Sequence, residues 1–199
     1  MKDLRKIICI LMACGILCVT SACGTDKSKS ENKKAETSED KTGEESSQGK
    51  VSESGDFVSQ DGKLELTLPD SSWECTVDTD TTKTFQSDAG VINLIFADGE
   101  GVAQSMVPTD EGAYQSMVNG GMADLAFEVV AFDYQEQGDV QSYKGTVHYT
   151  SEENPDKYVT HYGVYQQDSG YTITAVLFQE DTELLQEVQN TIYNAKVGN

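Results

Sequence analysis

The chain has 199 residues and a formal net charge of -20, with 34 acidic residues against 14 basic ones. Most of this acidity lies in residues 55–199, which contain 25 Asp or Glu and 5 Lys. Such a surface repels nucleic acid and anionic lipid headgroups. The composition therefore excludes a nucleic-acid-binding role, and it favours either cationic partners or simple solubility.

The N-terminal pattern is typical of an export signal. Three basic residues lie within the first six, and residues 7–19 form an unbroken stretch of 13 apolar or small residues. This stretch is too short to cross a bilayer, which needs ~20 apolar residues, but it suits the hydrophobic region of a signal peptide. We predict that residues 1–22 are a signal peptide that is removed on export.

Cys23 follows the small residues Thr20, Ser21 and Ala22 and precedes Gly24. This arrangement resembles the lipobox of bacterial lipoproteins, although Thr20 stands where the family usually has an aliphatic residue. The resemblance implies that the Cys23 thiol is lipidated, with palmitate or similar acyl chains, and becomes the mature N-terminus. Several acyl chains would hold the protein on the extracytoplasmic face of the cell membrane, since one chain alone binds only marginally. The alternative is plain secretion with an incidental cysteine.

The segment after Cys23, up to residue 54, has the composition of a disordered linker. It is rich in Ser, Lys, Glu, Thr and Gly, contains no aromatic residue, and has Val51 as its only large aliphatic residue. It cannot bury enough apolar surface to offset the entropy lost on ordering. As a flexible coil it would span about 30 Å, so we expect it to hold the following domain away from the bilayer.

Cys75 is the only cysteine that remains after such processing, so the mature protein cannot form an internal disulfide. In an alternating strand, Cys75 shares one face with Trp73 and Val77, and residues 74, 76 and 78 share the other. This pattern favours a buried, unreactive thiol over a nucleophile.

Residues 55–199 are predicted to form one α+β domain. Its first half contains short strands at 56–60, 63–68, 73–77, 82–86 and 91–97. Leu64, Leu66 and Leu68 lie on one face of the second strand, and the nearly apolar 91–97 is predicted to be central. A helix should follow Pro108, with Asp110 and Glu111 at its positive end. Its apolar face is formed by Ala113, Met117 and Val118, with Tyr114 beside them.

The second half is predicted to be a four-strand meander followed by a helix. The strands are 127–136, 140–150, 157–167 and 171–179, with turns rich in Gly, Asn and Asp between them. The helix covers 181–195, and its inward face is formed by Leu184, Leu185, Val188, Ile192 and Ala195. This order predicts an antiparallel β-sheet flanked by helices, an α/β/α sandwich.

The order and texture of these elements resemble the PsbP-like superfamily. The elements that carry the resemblance are the strand Lys63–Pro69 leading into Trp73, the aromatic strands 127–134, 143–149, 158–165 and 171–178, and the closing helix. The resemblance covers most of residues 56–196. It implies an antiparallel sheet flanked by helices and a non-catalytic role in binding or stabilising partners. No functional residue and no cofactor can be carried over from it.

Two histidines form one candidate site. If the hairpin between the second and third meander strands is centred between Asn154 and Pro155, His148 and His161 lie directly opposite each other. Such a pair could share a metal ion, but a transition-metal site normally has three or four ligands and no third is indicated. A simple cross-strand pair is therefore favoured, and no metal or cofactor is predicted.

Four tyrosines form a second candidate. The same register places Tyr143, Tyr149, Tyr158 and Tyr162 together on the opposite face, beside Val147. They are either an aromatic platform for a glycan or peptide, or cross-strand packing under a helix, and packing is favoured. Residues 78–82 resemble the start of a calcium loop but lack its Gly and its terminal Glu.

No nucleophile–base set or phosphate loop is evident in the sequence. The predicted function is therefore that of a membrane-anchored extracytoplasmic lipoprotein with a non-catalytic binding or accessory domain for a protein, peptide or envelope component. A divalent-cation-binding module is the alternative, and an unrecognised extracellular hydrolase is a further one.

Overall fold

A computed structural model describes residues 50–120, 126–151 and 154–198. The predicted signal peptide, Cys23 and all but the last residues of the predicted linker lie outside the described residues. Those predictions therefore stay predictions.

The described residues form two antiparallel sheets. The smaller sheet has the order β1-β2-β10 and consists of β1 (Asp56–Val58), β2 (Leu64–Thr67) and β10 (Lys196–Val197). The larger sheet has the order β3-β4-β5-β9-β8-β7-β6. Its strands are β3 (Glu74–Asp78), β4 (Thr82–Gln86), β5 (Gly90–Asp98), β6 (Phe127–Gln137), β7 (Val140–Tyr149), β8 (Tyr158–Gln166) and β9 (Ser169–Leu177).

The described part of the chain also contains three helices: α1 (Val102–Met106), α2 (Glu111–Asn119) and α3 (Thr182–Tyr193). The Asp110 carboxylate accepts a hydrogen bond from the Ala113 N–H, and Asp181 accepts from the N–H groups of Glu183 and Leu184. Both carboxylates therefore satisfy backbone donors that have no partner within the helix. The sequence indicated α2 and α3, but the five-residue α1 was not predicted.

The larger sheet is covered on both faces. On one face it packs against α3 and the smaller sheet, and the buried residues there include Phe57, Leu64, Trp73, Phe85, Ile92, Ile173, Val188 and Ile192. On the other face it packs against α1 and α2, with Ala103, Tyr114, Tyr143, Val147, Tyr149 and Tyr165 among the buried residues. The predicted α+β fold, an antiparallel sheet flanked by helices, is confirmed.

The predicted alternation of β3 is wrong beyond Cys75, because the strand contains a β-bulge. Cys75 pairs with Phe85, but the register then shifts so that Val77 pairs with Thr84 and Asp78 with Lys83. The extra residue turns the strand over, and Asp78 therefore points to the face of Cys75, with its side chain only 1% exposed.

The predicted apolar face of α2 is confirmed only for Tyr114 and Val118. Tyr114 is its buried residue, whereas Met117 is 38% exposed and Ala113 is also exposed. The reason is steric, because the Tyr114 ring fills the space above Gly145, where an added Cβ would lie 2.2 Å from the ring. The Tyr114 ring thus makes the main contact, with Val118 packed against the same cluster.

Candidate functional site

The observed register of β7 and β8 separates the two histidines. His148 pairs with Tyr158, and His161 pairs with Gly145, so the predicted cross-strand histidine pair is wrong. The predicted register differs from the observed one by three residues. Because side chains alternate between the two faces of a strand, an odd shift also moves the β8 residues to the other face relative to β7.

The same shift divides the predicted group of four tyrosines between the two faces of the sheet. Tyr143 and Tyr149 lie on the face that α1 and α2 cover, whereas Tyr158 and Tyr162 lie on the face that carries α3. All except Tyr162 are buried. The packing interpretation is therefore correct for these residues, but on two faces, and they form no shared open surface.

His161 is half-buried next to α2. Its Nδ1 shares a 2.9 Å hydrogen bond with the Tyr114 hydroxyl, and the two rings meet edge to face. Burial lowers the pKa of His161 to about 4 and raises the pKa of Tyr114. At neutral pH both side chains are uncharged, so this pair is a packing element with one internal hydrogen bond.

His148 joins two segments at the edge of the larger sheet. Its Nδ1 lies 3.2 Å from Glu128 on β6, and its Nε2 lies 3.2 Å from Glu180, just before α3. Its ring also stacks on Tyr158 with centroids 4.7 Å apart. Both ring nitrogens therefore face a carboxylate, and the ring joins β6 to the start of α3. Among the described residues, no group of three or more His, Cys, Asp or Glu is arranged to hold a metal ion.

The Cys75 thiol is buried, as predicted. Burial, together with the negative charge of Asp78, raises its pKa to about 11. At neutral pH the thiol is therefore protonated and weakly nucleophilic.

Lys83 forms a buried ionic network that the sequence did not indicate. It is 1% exposed, and its Nζ lies 2.8 Å from both Asp61 and Asp78. It also donates to the Thr79 carbonyl. Burial opposes the charge of Asp61, but hydrogen bonds from Lys83 and Ser59 lower its pKa to about 2. The network connects the turn between β1 and β2 to β3 and β4, so its role is structural.

A row of four half-buried rings crosses the α3 face of the larger sheet: Phe96, Tyr171, Tyr162 and Tyr193. Successive rings meet at interplanar angles of 63°, 83° and 78°. Lys144 lies over two of these rings, 5.6 Å from the Tyr162 centroid and 4.6 Å from the Tyr193 centroid. Rings arranged edge to face present no common plane, so this row does not provide a stacking platform for a sugar.

An open groove lies between the smaller sheet and α3, with a volume of about 660 Å³. Its polar lining comes from Asp56 on β1, Glu65 and Thr67 on β2, Glu187, Asn190, Thr191 and Asn194 on α3 or just after it, and Lys196 on β10. Hydrogen bonds from Ser54 and Thr67 lower the pKa of Asp56, and Lys196 pairs with Glu65 at 3.1 Å.

This acidic groove is the candidate binding site. Its apolar part includes Val58, which is 56% exposed. No sequence pattern indicated the groove, because β1 and β2 lie near the start of the domain's sequence and α3 lies near its end, and they meet only in the fold.

The arrangement of strands and helices is a PsbP-like fold. A solved structure of similar fold is cyanobacterial PsbP (CyanoP) from Synechocystis, with a TM-score of 0.53, 9% sequence identity, and coverage of 72% of this chain and 91% of that one. The Ran-binding protein Mog1p from Saccharomyces cerevisiae gives a TM-score of 0.47 at 11% identity, over 71% of this chain and 94% of its own. A Bacteroides thetaiotaomicron protein gives 0.42 at 10% identity, over 74% of this chain and 50% of its own.

At these identities the similarity establishes the fold alone. No family profile matches the chain, and no curated protein matches it in sequence. In the part of the chain that the structure describes, no helix is both long and apolar enough to cross a membrane.

Proposed function

We propose that this protein is a membrane-anchored extracytoplasmic lipoprotein whose PsbP-like domain is a non-catalytic accessory module that binds a protein or peptide partner. The anchor is Cys23, placed between a signal peptide of 22 residues and a polar linker. The linker then holds the acidic domain away from the membrane surface, where the domain meets its partner.

The observation that carries the binding role is the open groove between α3 and the smaller sheet. It combines carboxylates from Asp56 and Glu187, amides from Asn190 and Asn194, and the exposed side chain of Val58. A groove with this lining suits a peptide segment that brings cationic or hydrogen-bonding groups together with apolar contact.

The non-catalytic role is supported by how the potentially reactive side chains are used. The Cys75 thiol is buried with a raised pKa, the His161 ring is hydrogen-bonded to Tyr114, and the Lys83 ammonium is neutralised by two carboxylates. Each of these groups is already committed to a contact inside the fold.

The groove is tested by site-specific photocrosslinking in living cells. A crosslinking residue at position 58 should give a discrete product that mass spectrometry assigns to one partner. The same residue at position 111, exposed at the start of α2, is the matched control. Identical product patterns at the two positions would contradict a binding groove.

The anchor is tested by comparing the native protein with a Cys23→Ser variant. The native protein should fractionate with membranes, and its N-terminal peptide should have the mass of a lipidated Cys23. The variant should be lost from the membrane fraction. A native protein that retains Met1, or that has an unmodified Cys23, would overturn the proposal.

A further inference from the structure

The larger sheet has one long free edge, strand β6. It has eleven residues, or about 36 Å at 3.3 Å per residue. The other strands that end a sheet, β1, β3 and β10, have three, five and two residues. No other described strand pairs with the outer side of β6, and a free edge presents backbone N–H and C=O groups that can pair with an added strand.

One face of β6 carries hydrophobic side chains that the fold covers only in part. Phe127, Val129, Phe132 and Tyr134 are half-buried on the side of α2. Phe132 stacks on Tyr114 with centroids 5.2 Å apart, and Phe127 meets Tyr149 at 5.7 Å. The hydrophobic cluster on this side of the sheet thus ends at β6 with its last side chains only partly covered.

The charged residues of β6 are all acidic: Glu128, Asp133 and Glu136. Glu128 and Asp133 pair with His148 and Lys144 of β7, which places them on the α3 face. Lys144 directs its ammonium over the Tyr162 and Tyr193 rings. The acidic face of β6 is therefore exposed beside a half-buried apolar face.

We propose that the free edge of β6 binds an extended segment of a protein partner in which basic and apolar side chains alternate, and that this segment adds an eighth strand to the sheet. The inference rests on the proposed function, because it names the class of partner and a second contact surface. Alternate side chains of an added strand point to opposite faces. Its apolar residues would cover Phe132 and Tyr134, and its basic residues would lie near Asp133.

A second copy of this chain fits the same edge poorly. Its own β6 carries Glu128 and Asp133 on one face, so antiparallel self-pairing centred between them would place these like charges opposite each other. This like-charge contact disfavours self-association and leaves a basic strand as the complementary occupant. The bulge at Val129–Ala131 interrupts the edge, so regular pairing with any added strand is confined mainly to β6 from Phe132 onward.

The test uses the purified protein and a fluorescent nine-residue peptide of alternating lysine and valine, with binding followed by anisotropy. A Glu–Val peptide of the same length should not bind. A Lys–Val peptide that is N-methylated at alternate peptide bonds keeps its charge but lacks the backbone N–H groups along one of its own edges. It cannot form strand hydrogen bonds through that edge, and it should bind at least tenfold more weakly.

Three double variants locate the binding surface. Glu128→Gln with Asp133→Asn should weaken binding about tenfold, since two exposed charge contacts are lost. Asp56→Asn with Glu187→Gln removes the same charge from the groove and so distinguishes binding there from binding at β6. Glu74→Gln with Asp80→Asn removes the same charge at the opposite edge of the larger sheet, and this control should leave the affinity unchanged. Sedimentation with and without peptide should show a monomer throughout.

Three results would overturn the inference. These are no binding to the unaltered protein, equal binding of the N-methylated peptide, and loss of binding only in the groove variant. The last result would place the peptide in the groove, which would leave the proposed function standing without the β6 site. Failure of the proposed anchor, by contrast, appears only in the fractionation of the Cys23→Ser variant.

Discussion

The ring of Tyr143 on β7 occupies the space that a side chain at Gly163 on β8 would need. The two residues are direct cross-strand partners, and a Cβ added at position 163 would lie 2.2 Å from a ring carbon of Tyr143. Tyr165 covers Gly170 on β9 in the same way, at 2.3 Å. Large rings over glycines let the sheet bury tyrosines under two short helices.

Gly163→Ala should therefore destabilise the domain by about 1–3 kcal/mol, because the Tyr143 ring must move out of a packed layer. Chemical denaturation followed by the fluorescence of Trp73, the only tryptophan and 1% exposed, measures the change. Gly120→Ala is the control, since its Cβ would meet the nearest atoms at an ordinary 3.4 Å and its backbone is right-handed. Equal effects of the two substitutions would contradict the steric argument.

Lys83→Met should cost about 3–5 kcal/mol, because it leaves the buried Asp78 and the partly buried Asp61 without their counter-charge. Lys196→Met removes a cation from the exposed pair with Glu65, whose side chains are 81% and 53% exposed. That change should cost less than about 1 kcal/mol. Urea unfolding of both variants gives the two free energies of unfolding. If the Lys83 variant is as stable as the Lys196 variant, the buried network does not stabilise the fold.

His161 should make the stability fall as the pH falls. Its pKa in the fold is about 4, below its ordinary value of about 6.5, so the unfolded chain binds this proton first. The free energy of unfolding is therefore unaffected by this group above pH ~6.5. It falls progressively between pH ~6.5 and pH 4, by at most about 3 kcal/mol. His161→Gln keeps an acceptor for Tyr114 but cannot titrate. The stability difference between the two proteins should therefore depend on pH in this window, and a constant difference would show that His161 does not titrate as inferred.

Thiol titration tests both the fold and the predicted processing. Of the five cysteines, three precede position 23, one is Cys23 and one is Cys75. Protein isolated from membranes should show one reactive thiol per chain when denatured, and very slow reaction when folded, because burial raises the pKa of Cys75 to about 11. Two thiols would indicate a removed signal peptide with an unmodified Cys23, and five would indicate an unprocessed chain.

The bridge through His148 predicts a local effect. His148→Ala removes the contacts with Glu128 and Glu180 and the stacking on Tyr158. Amide hydrogen exchange should then become faster in β6 and in the first turn of α3, with little change in β4 and β5. His148→Gln, which can still donate to one carboxylate, should show a smaller effect, and uniform acceleration across the sheet would contradict a local bridge.

The sequence by itself determined the class of fold and the order of its elements. Alternating side chains indicated β2 and the meander β6–β9, and helical spacing indicated α3, because these periods follow from local backbone geometry. Burial of Cys75 followed from the same kind of pattern. Short elements such as α1 and the two-residue β10 have too few residues to show a period, and they form because the rest of the domain holds them.

The tertiary structure alone decided which residues face one another. A period of two shows that a strand has two faces, but the partner opposite each residue depends on the turn that joins the strands. The β7–β8 connection placed His148 opposite Tyr158 instead of His161, which separated the histidines and divided the tyrosines between two faces. The bulge in β3 similarly turned Asp78 toward Lys83. Register and bulges arise from contacts between distant parts of the chain, and for this reason the groove at α3 and the free edge of β6 became visible only in the fold.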